Sequence, residues 1–269
     1  MLLDMVSVER VFHGLGNVST VYSRRLLIIR TIPPSRKDNT GTTSAPLVIG
    51  IHHRRPNTMH FTSQSLDALP KRTRVNLINS LSGFKSANLV GTRSHEGQEN
   101  LSIVSSCFHL GADPALMGMI IRPHSVDRHT LEYLQQTGYY TLNHVHQGMI
   151  GPAHQTSARY PRDVSEFEAT GLTPQYHQKF PAPFVQEARI QLGMKVADIQ
   201  DIAVNGTVLV IGAIEQVQLP EGIMAEDGYV DVEEAGTVAL SGLDSYHLTH
   251  RAGRWRYAKP DQPPTRFSD

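Results

Sequence analysis

Between Ser86 and Val145 the chain reads as a strand, a glycine turn, a Ser-rich strand, an apolar strand and a basic helix start, an apolar scaffold that narrows the possible folds more than any other stretch. Ala87 to Thr92 and Leu101 to Cys107 read as strands joined across His95-Glu-Gly-Gln, a hairpin-like turn. Ala115 to Ile121 is an apolar run held between Pro114 and Pro123, and Tyr139 to Val145 is a further strand. Helices are few and short. Lys71 to Leu81 carries Val75, Ile78 and Leu81 at helical spacing, with Leu77 alongside, and stops at Gly83. Asp127 to Gln136 reads as a second helix, closed by Gly138. A helical and loop block then runs to about Pro183. The strands Phe184 to Leu192 and Lys195 to Val204 lead into Asn205-Gly206, a strong hairpin signal, and Thr207 to Leu219 completes the pair. Hairpin-linked strands with a few short helices predict a mainly β protein, an antiparallel barrel decorated by helices.

A chain of 269 residues holds one sizeable core, or one domain plus a tail. The tail reading is supported at the N-terminus. The first 58 residues carry eight basic and three acidic residues, net +5, leaving 17 basic and 22 acidic residues, net −5, for the rest. Thr31 to Pro56 is rich in Pro, Ser, Thr, Asn and Arg, too polar to offset its ordering entropy. A basic interaction arm, an organellar presequence and an upstream extension compete for this segment. Asp4 and Glu9 count against a presequence. We therefore expect residues 1–58 to be a low-order extension outside the working protein, and 59–269 to be the functional domain, starting near Met59.

A net charge of zero offers no global electrostatic case for nucleic acid or an anionic membrane as partner. Leu26-Leu-Ile-Ile29 is far short of the roughly 18 apolar residues a spanning helix needs. The single cysteine, Cys107, excludes an internal disulfide framework and a cysteine-based zinc cluster, and the expected location is cytoplasmic.

Two stretches carry chemistry. Arg122-Pro-His-Ser-Val-Asp-Arg-His-Thr130 places cations and hydroxyls where a helix begins, and a helix start with unpaired N–H groups is an anion site. Arg122 and Arg128 would bring charge; Ser125 and Thr130 would bring hydroxyl donors. A capped surface helix with solvated arginines explains the same residues, and the pattern alone leaves both readings open. Asn100-Leu-Ser-Ile-Val-Ser-Ser106 alternates small polar and apolar residues until Ser105-Ser106 breaks the pattern. Small polar residues ending a buried strand suit a flat ligand, although serines also tolerate crowding. The 14 histidines include an alternating pair, His144 and His146, but no HExxH and no metal-ligand spacing. Nucleophile-elbow, P-loop and Rossmann glycine motifs are all missing.

As a set, these residues resemble the flavin reductase-like family of FMN-binding split β-barrels. The landmarks are Asn79-Ser-Leu-Ser-Gly-Phe-Lys-Ser-Ala-Asn-Leu-Val-Gly-Thr, the Asn100 to Ser106 strand and the Arg122 to Thr130 segment. They continue with Thr137-Gly-Tyr-Tyr-Thr-Leu-Asn-His-Val, Ala153-His-Gln-Thr-Ser-Ala-Arg-Tyr, Ser165-Glu-Phe-Glu-Ala-Thr-Gly-Leu-Thr-Pro, and Gly242-Leu-Asp-Ser-Tyr-His with Tyr257-Ala-Lys-Pro. No one motif is specific; their order over roughly 190 residues carries the likeness. The resemblance implies a homodimer with FMN at its interface. It implies Asn100, Ser102, Ser105 and Ser106 near the ring or ribityl chain, and Arg122, Ser125, Arg128, His129 and Thr130 near the phosphate. Thr156, Ser157 and His154 are implied for the wall of the site, with His154 the candidate contact to the nicotinamide or flavin.

The implied activity is NAD(P)H-dependent flavin reduction, with hydride passing from NADH or NADPH to flavin N5 and the cofactor carrying the chemistry. No catalytic acid, base or nucleophile is assigned. Reduced flavin could feed a partner oxygenase or another electron acceptor. A flavin carrier or sensor without turnover, and a split-barrel oxidase of a small substrate, are the competing readings.

Overall fold

The computed structural model describes residues 58–123 and 128–267. The proposed extension, apart from Thr58, and Ser125 lie outside the described residues. The fold below belongs to the compact unit beginning at Ser63.

Seven strands form one antiparallel sheet in the order β3-β2-β6-β9-β10-β5-β4. They are β2 (Asn88–Arg93), β3 (Glu99–Val104), β4 (Cys107–Ala112), β5 (Ala115–Ile121), β6 (Tyr139–His144), β9 (Gln191–Ile202) and β10 (Thr207–Gln218). The sheet's two edges, β3 and β4, are separated in the chain only by Ser105 and Ser106. A two-residue link cannot span an open seven-stranded sheet, whose strands lie nearly 5 Å apart, so the sheet must curl until its edges meet. The corner is stitched by Ser106: its Oγ donates to the Ile120 carbonyl at 2.6 Å, and its carbonyl accepts the Ile120 N–H at 3.4 Å. This is an antiparallel split barrel. The expected single strand from Leu101 to Cys107 is thus two strands, broken at the serine pair by barrel closure.

A second difference lies at Gly193, where a break was expected between two strands. β9 runs through it, because Gly193 is paired with Thr141 on one side and Gln216 on the other. A Cβ there would come within 2.9 Å of the Phe180 ring, so the glycine serves close packing. The expected strand from Phe184 shrinks to β8 (Phe184–Val185), paired with β7 (Pro174–Gln175). The Asn205-Gly206 turn is present, with Gly206 at φ +70°, but the loop spans four residues between Ile202 and Thr207.

Alternation along β2 feeds two cores. Val90 points into the barrel with Met119, Leu134, Tyr140, Leu142, Met194 and Val210. Leu89 points the other way, joining Leu101, Val145, Met149, Phe167 and Val185. This second core lies under α4 (Ile150–Gln155) and α5 (Glu166–Thr170), and a small sheet of β1 (Lys85–Ser86), β11 (Ala239–Ser241) and β12 (Ser245–His247) borders it. The helix α3 (His129–Thr137) packs on β2 and β3 and ends where Gly138 adopts a left-handed conformation, its N–H donating to the Leu134 carbonyl. α1 (Ser63–Asp67) and α2 (Lys71–Leu81) precede the barrel, and α2 buries none of its residues. Among the described residues no helix is long and apolar enough to cross a membrane.

β3 is an edge strand, and an open edge would leave N–H groups unpaired. Two helices cover it. Glu166 at the start of α5 accepts the Leu101 N–H at 3.0 Å, and Thr156, just past α4, accepts the Ile103 N–H at 2.9 Å. The strand that bears the polar side chains is thereby held along its length.

Candidate functional site

Asn100 and Ser102 fall on the face of β3 turned toward α3, two residues apart on a strand of period two. Both reach the first turn of that helix. Asn100 Nδ2 donates to Thr130 Oγ1 at 2.9 Å, and Ser102 Oγ lies 2.7 Å from the same oxygen. Across the strand pair, Thr92 Oγ1 accepts from Asn100 Nδ2 at 3.3 Å. The two stretches singled out in the sequence, 30 residues apart, therefore meet through side chains.

Charge gathers beside this junction. Arg122 is exposed just past β5, and Arg128 is half-buried at the N-cap of α3, its Nε donating to the Pro123 carbonyl at 3.4 Å. Burial, and then the neighbouring charges of Arg122 and Arg159, push the Arg128 guanidinium below its ordinary value. Lys85 on β1 is likewise lowered, first by burial and then by Arg122. Its Nζ donates to the carbonyls of Gly242 at 2.8 Å and Asn79 at 3.3 Å. Among the described residues none of Arg122, Arg128, Arg159 and Lys85 has a carboxylate partner. Arg162 differs: Glu132 neutralises it at 2.5 Å. Like charges crowded together are stabilised by an anion placed among them.

The remaining expected residues take separate positions. His129 opens α3 and stacks on Tyr133, ring centroids 6.1 Å apart. Ser105 is half-buried in the barrel corner, and the Ser106 hydroxyl is spent on the Ile120 carbonyl. Thr156 is buried; its hydroxyl donates to the Ala153 carbonyl and accepts from Ile103, which makes it an edge clamp. Ser157 is exposed beyond α4, its N–H donating to the His154 carbonyl. His154 is exposed, with Nδ1 3.0 Å from the Tyr246 hydroxyl. The structure thus joins Asn100, Ser102, Thr130, Arg122 and Arg128, and leaves Ser106 and Thr156 in structural bonds. His144 is half-buried, and desolvation pushes its imidazole down to about 4, so it stays neutral in the barrel wall. Among the described residues no three His, Cys, Asp or Glu side chains gather as a metal cage.

Sequence reasoning passed over Arg159, Lys85, Thr92 and Glu166. Arg159 and Lys85 stand inside the quoted motifs, but only tertiary structure brings them to Arg122 and Arg128. Glu166 carries a signal in Ser165-Glu166 at a helix start, yet nothing local announces that its carboxylate reaches β3.

Comparison with known proteins gives this geometry a context. The flavin reductase like domain matches residues 82–234. A candidate flavin reductase with a split barrel domain from Shewanella frigidimarina is 54% identical, covering 75% of this chain and 100% of its own, with a TM-score of 0.73. Nitrilotriacetate monooxygenase component B from Bacillus cereus is 16% identical, with coverage of 73% and 98% and a TM-score of 0.65. Pseudomonas fluorescens 2-nitrobenzoate 2-nitroreductase is 22% identical, with coverage of 77% and 99% and a TM-score of 0.64. These last two likenesses are of fold alone.

Proposed function

The chain belongs to the flavin reductase-like family, and from that premise we propose that it is an FMN-binding oxidoreductase using NADH or NADPH as electron donor. The observation that carries this reading is the group of cations Arg122, Arg128 and Arg159 at the start of α3, without a carboxylate partner among the described residues and adjoining the Asn100–Ser102 face of β3. The donor set suits a phosphate monoester at one end and the polar edge of a flat ring at the other. Arg122, Arg128 and Arg159 would hold the phosphate; Asn100 and Ser102 would face the ring.

Bound FMN supplies a ring nitrogen, N5, that accepts hydride from a reduced nicotinamide, so the protein needs no nucleophile of its own. The chain's part is to bind, orient and desolvate. Glu166 and Thr156 keep β3 rigid from behind, and the barrel corner at Ser105-Ser106 fixes where the strand ends. His154, exposed and paired with Tyr246, is the candidate contact for the nicotinamide; a His154→Ala variant with unchanged flavin affinity and turnover would remove that role.

The test is an anaerobic absorbance titration of the purified full chain reconstituted with FMN. A flavin band that bleaches with NADH or NADPH supports the reductase. A band that persists with both nucleotides favours a carrier or an oxidase, and no flavin uptake would refute the site. In the same assay Arg159→Ala should weaken FMN binding by about tenfold or more, the value of a charge-assisted hydrogen bond, and leave riboflavin binding unchanged.

Homodimerisation is part of the proposal. α2 turns Val75, Ile78 and Leu81 to solvent, with Phe84 beside it 67% exposed, and an apolar stripe of this kind calls for a cover. A second copy is the cover we assign, tested by light scattering of wild type and Ile78→Glu. The likeness of fold to a monooxygenase component supports transfer of reduced flavin to a partner oxygenase, and the lone cysteine supports a cytoplasmic setting.

A further inference from the structure

We infer that Thr130 is a strut that aims the Ser102 hydroxyl proton at the flavin ring, and that it is not a phosphate ligand; the inference rests on the flavin reading above. Asn100 Nδ2 can only donate, so at 2.9 Å Thr130 Oγ1 must accept there. The Thr130 hydroxyl has one proton of its own, and among the described residues Ser102 Oγ, 2.7 Å away, is the acceptor in reach. If Thr130 donates to Ser102, the single proton of Ser102 is left to point away from α3, along the half-exposed β3 face. The chain of donation runs Asn100 to Thr130 to Ser102 to ligand, each bond polarising the next.

A phosphate oxygen could be served by Thr130 only with that same proton, since a phosphate ester dianion only accepts. Serving it would reverse the Thr130–Ser102 bond and turn the Ser102 proton inward. The two roles exclude each other. Asn100 keeps the strut in place: it is 4% exposed, and Thr92 on β2 takes its second amide proton at 3.3 Å, so the amide cannot swing aside without orphaning a buried donor. Thr130 is a positioning residue that acts through Ser102.

FMN and riboflavin differ only by the phosphate, so their affinities separate the two roles. Dissociation constants for both would be measured by fluorescence titration of wild type, Thr130→Val, Thr130→Ser and Ser102→Ala, along with the absorbance spectrum of each bound flavin. The expected result is that Thr130→Val weakens FMN and riboflavin by the same factor, ~5- to 10-fold for one neutral hydrogen bond. Its bound-flavin spectrum should shift toward that of flavin in water. Thr130→Ser should restore affinity and spectrum. Ser102→Ala, which leaves the Asn100–Thr130 bond untouched, should lose the same factor, and adding Thr130→Val to it should cost little more. Loss of FMN affinity alone in Thr130→Val, or factors that multiply in the double variant, would overturn the strut while leaving the flavin reading intact. Failure of wild type to bind either flavin would overturn both.

Discussion

Glu166 tests the edge-strand account most directly. It is buried, 7% exposed, and one oxygen accepts the N–H of Leu101, itself fully buried on β3. Burial pushes the Glu166 carboxyl above the ordinary carboxylate range, while the Leu101 N–H, its own N–H and the charge of His129 pull it partly back. Two substitutions separate the bond from the charge. Glu166→Ala removes the acceptor and leaves a buried N–H unsatisfied, at a cost of about 2 kcal/mol. For a domain of this size that lowers Tm by about 4–8 °C. Glu166→Gln keeps an amide oxygen for Leu101 and removes the ionisation.

The sign of the pH effect follows from linkage. A folded-state carboxyl that titrates higher than the unfolded one means the native protein binds more protons in the window just above the ordinary carboxylate value. Stability from this group is therefore present below that value and lost as pH rises through the window. Glu166→Gln should match or exceed wild type at pH 7, and its advantage should shrink as pH falls toward 4.5. Thermal unfolding by circular dichroism between pH 4.5 and 8 measures all three proteins. A Gln variant as unstable as the Ala variant at pH 7 would refute this account, as would a wild type that gains on the Gln variant with rising pH.

Other outcomes follow from packing. Tyr140 Oη is buried in the barrel with no hydrogen-bond partner among the described residues, so Tyr140→Phe should raise stability by about 1 kcal/mol in denaturant titration. Gly91→Ala would set a Cβ 2.1 Å from the Pro183 carbonyl oxygen and 2.6 Å from Thr141 Oγ1, displacing β2 from its buried neighbours; a loss of about 2 kcal/mol or more is expected in the same assay. The Cys107 side chain packs on the barrel core, and burial pushes its thiol up to about 12. The thiol is thereby held in its unreactive protonated form near neutral pH. Iodoacetamide should leave Cys107 unmodified in the native protein and label it rapidly in guanidinium; rapid native labelling would contradict the packing.

Much of the barrel was legible because its signals are local. The glycine stops after Leu81 and Thr137 are features of adjacent residues, with Gly83 and Gly138 both at positive φ, and the proline-bounded run Ala115 to Ile121 needed no distant partner to read as a strand. The polar alternation of Asn100 and Ser102 and the cations flanking α3 were likewise visible along the chain. What tertiary structure alone decided were closure and convergence. Nothing between Leu101 and Cys107 states that the strand must bend at Ser105-Ser106; that follows from where β4 lies in the sheet order. Gly193 reads as a break until β6 and β10 pair with β9 on both sides. The hydroxyl of Thr130 was expected at a phosphate, and its bonds to Asn100 and Ser102 exist because α3 packs across β3. Arg159 joins Arg122 and Arg128 only after some 30 residues of intervening chain have folded. Backbone preference is set by immediate neighbours and is therefore written in the sequence. The partner of a hydroxyl or a charge is set by distance in space, and that is defined only once the barrel has closed.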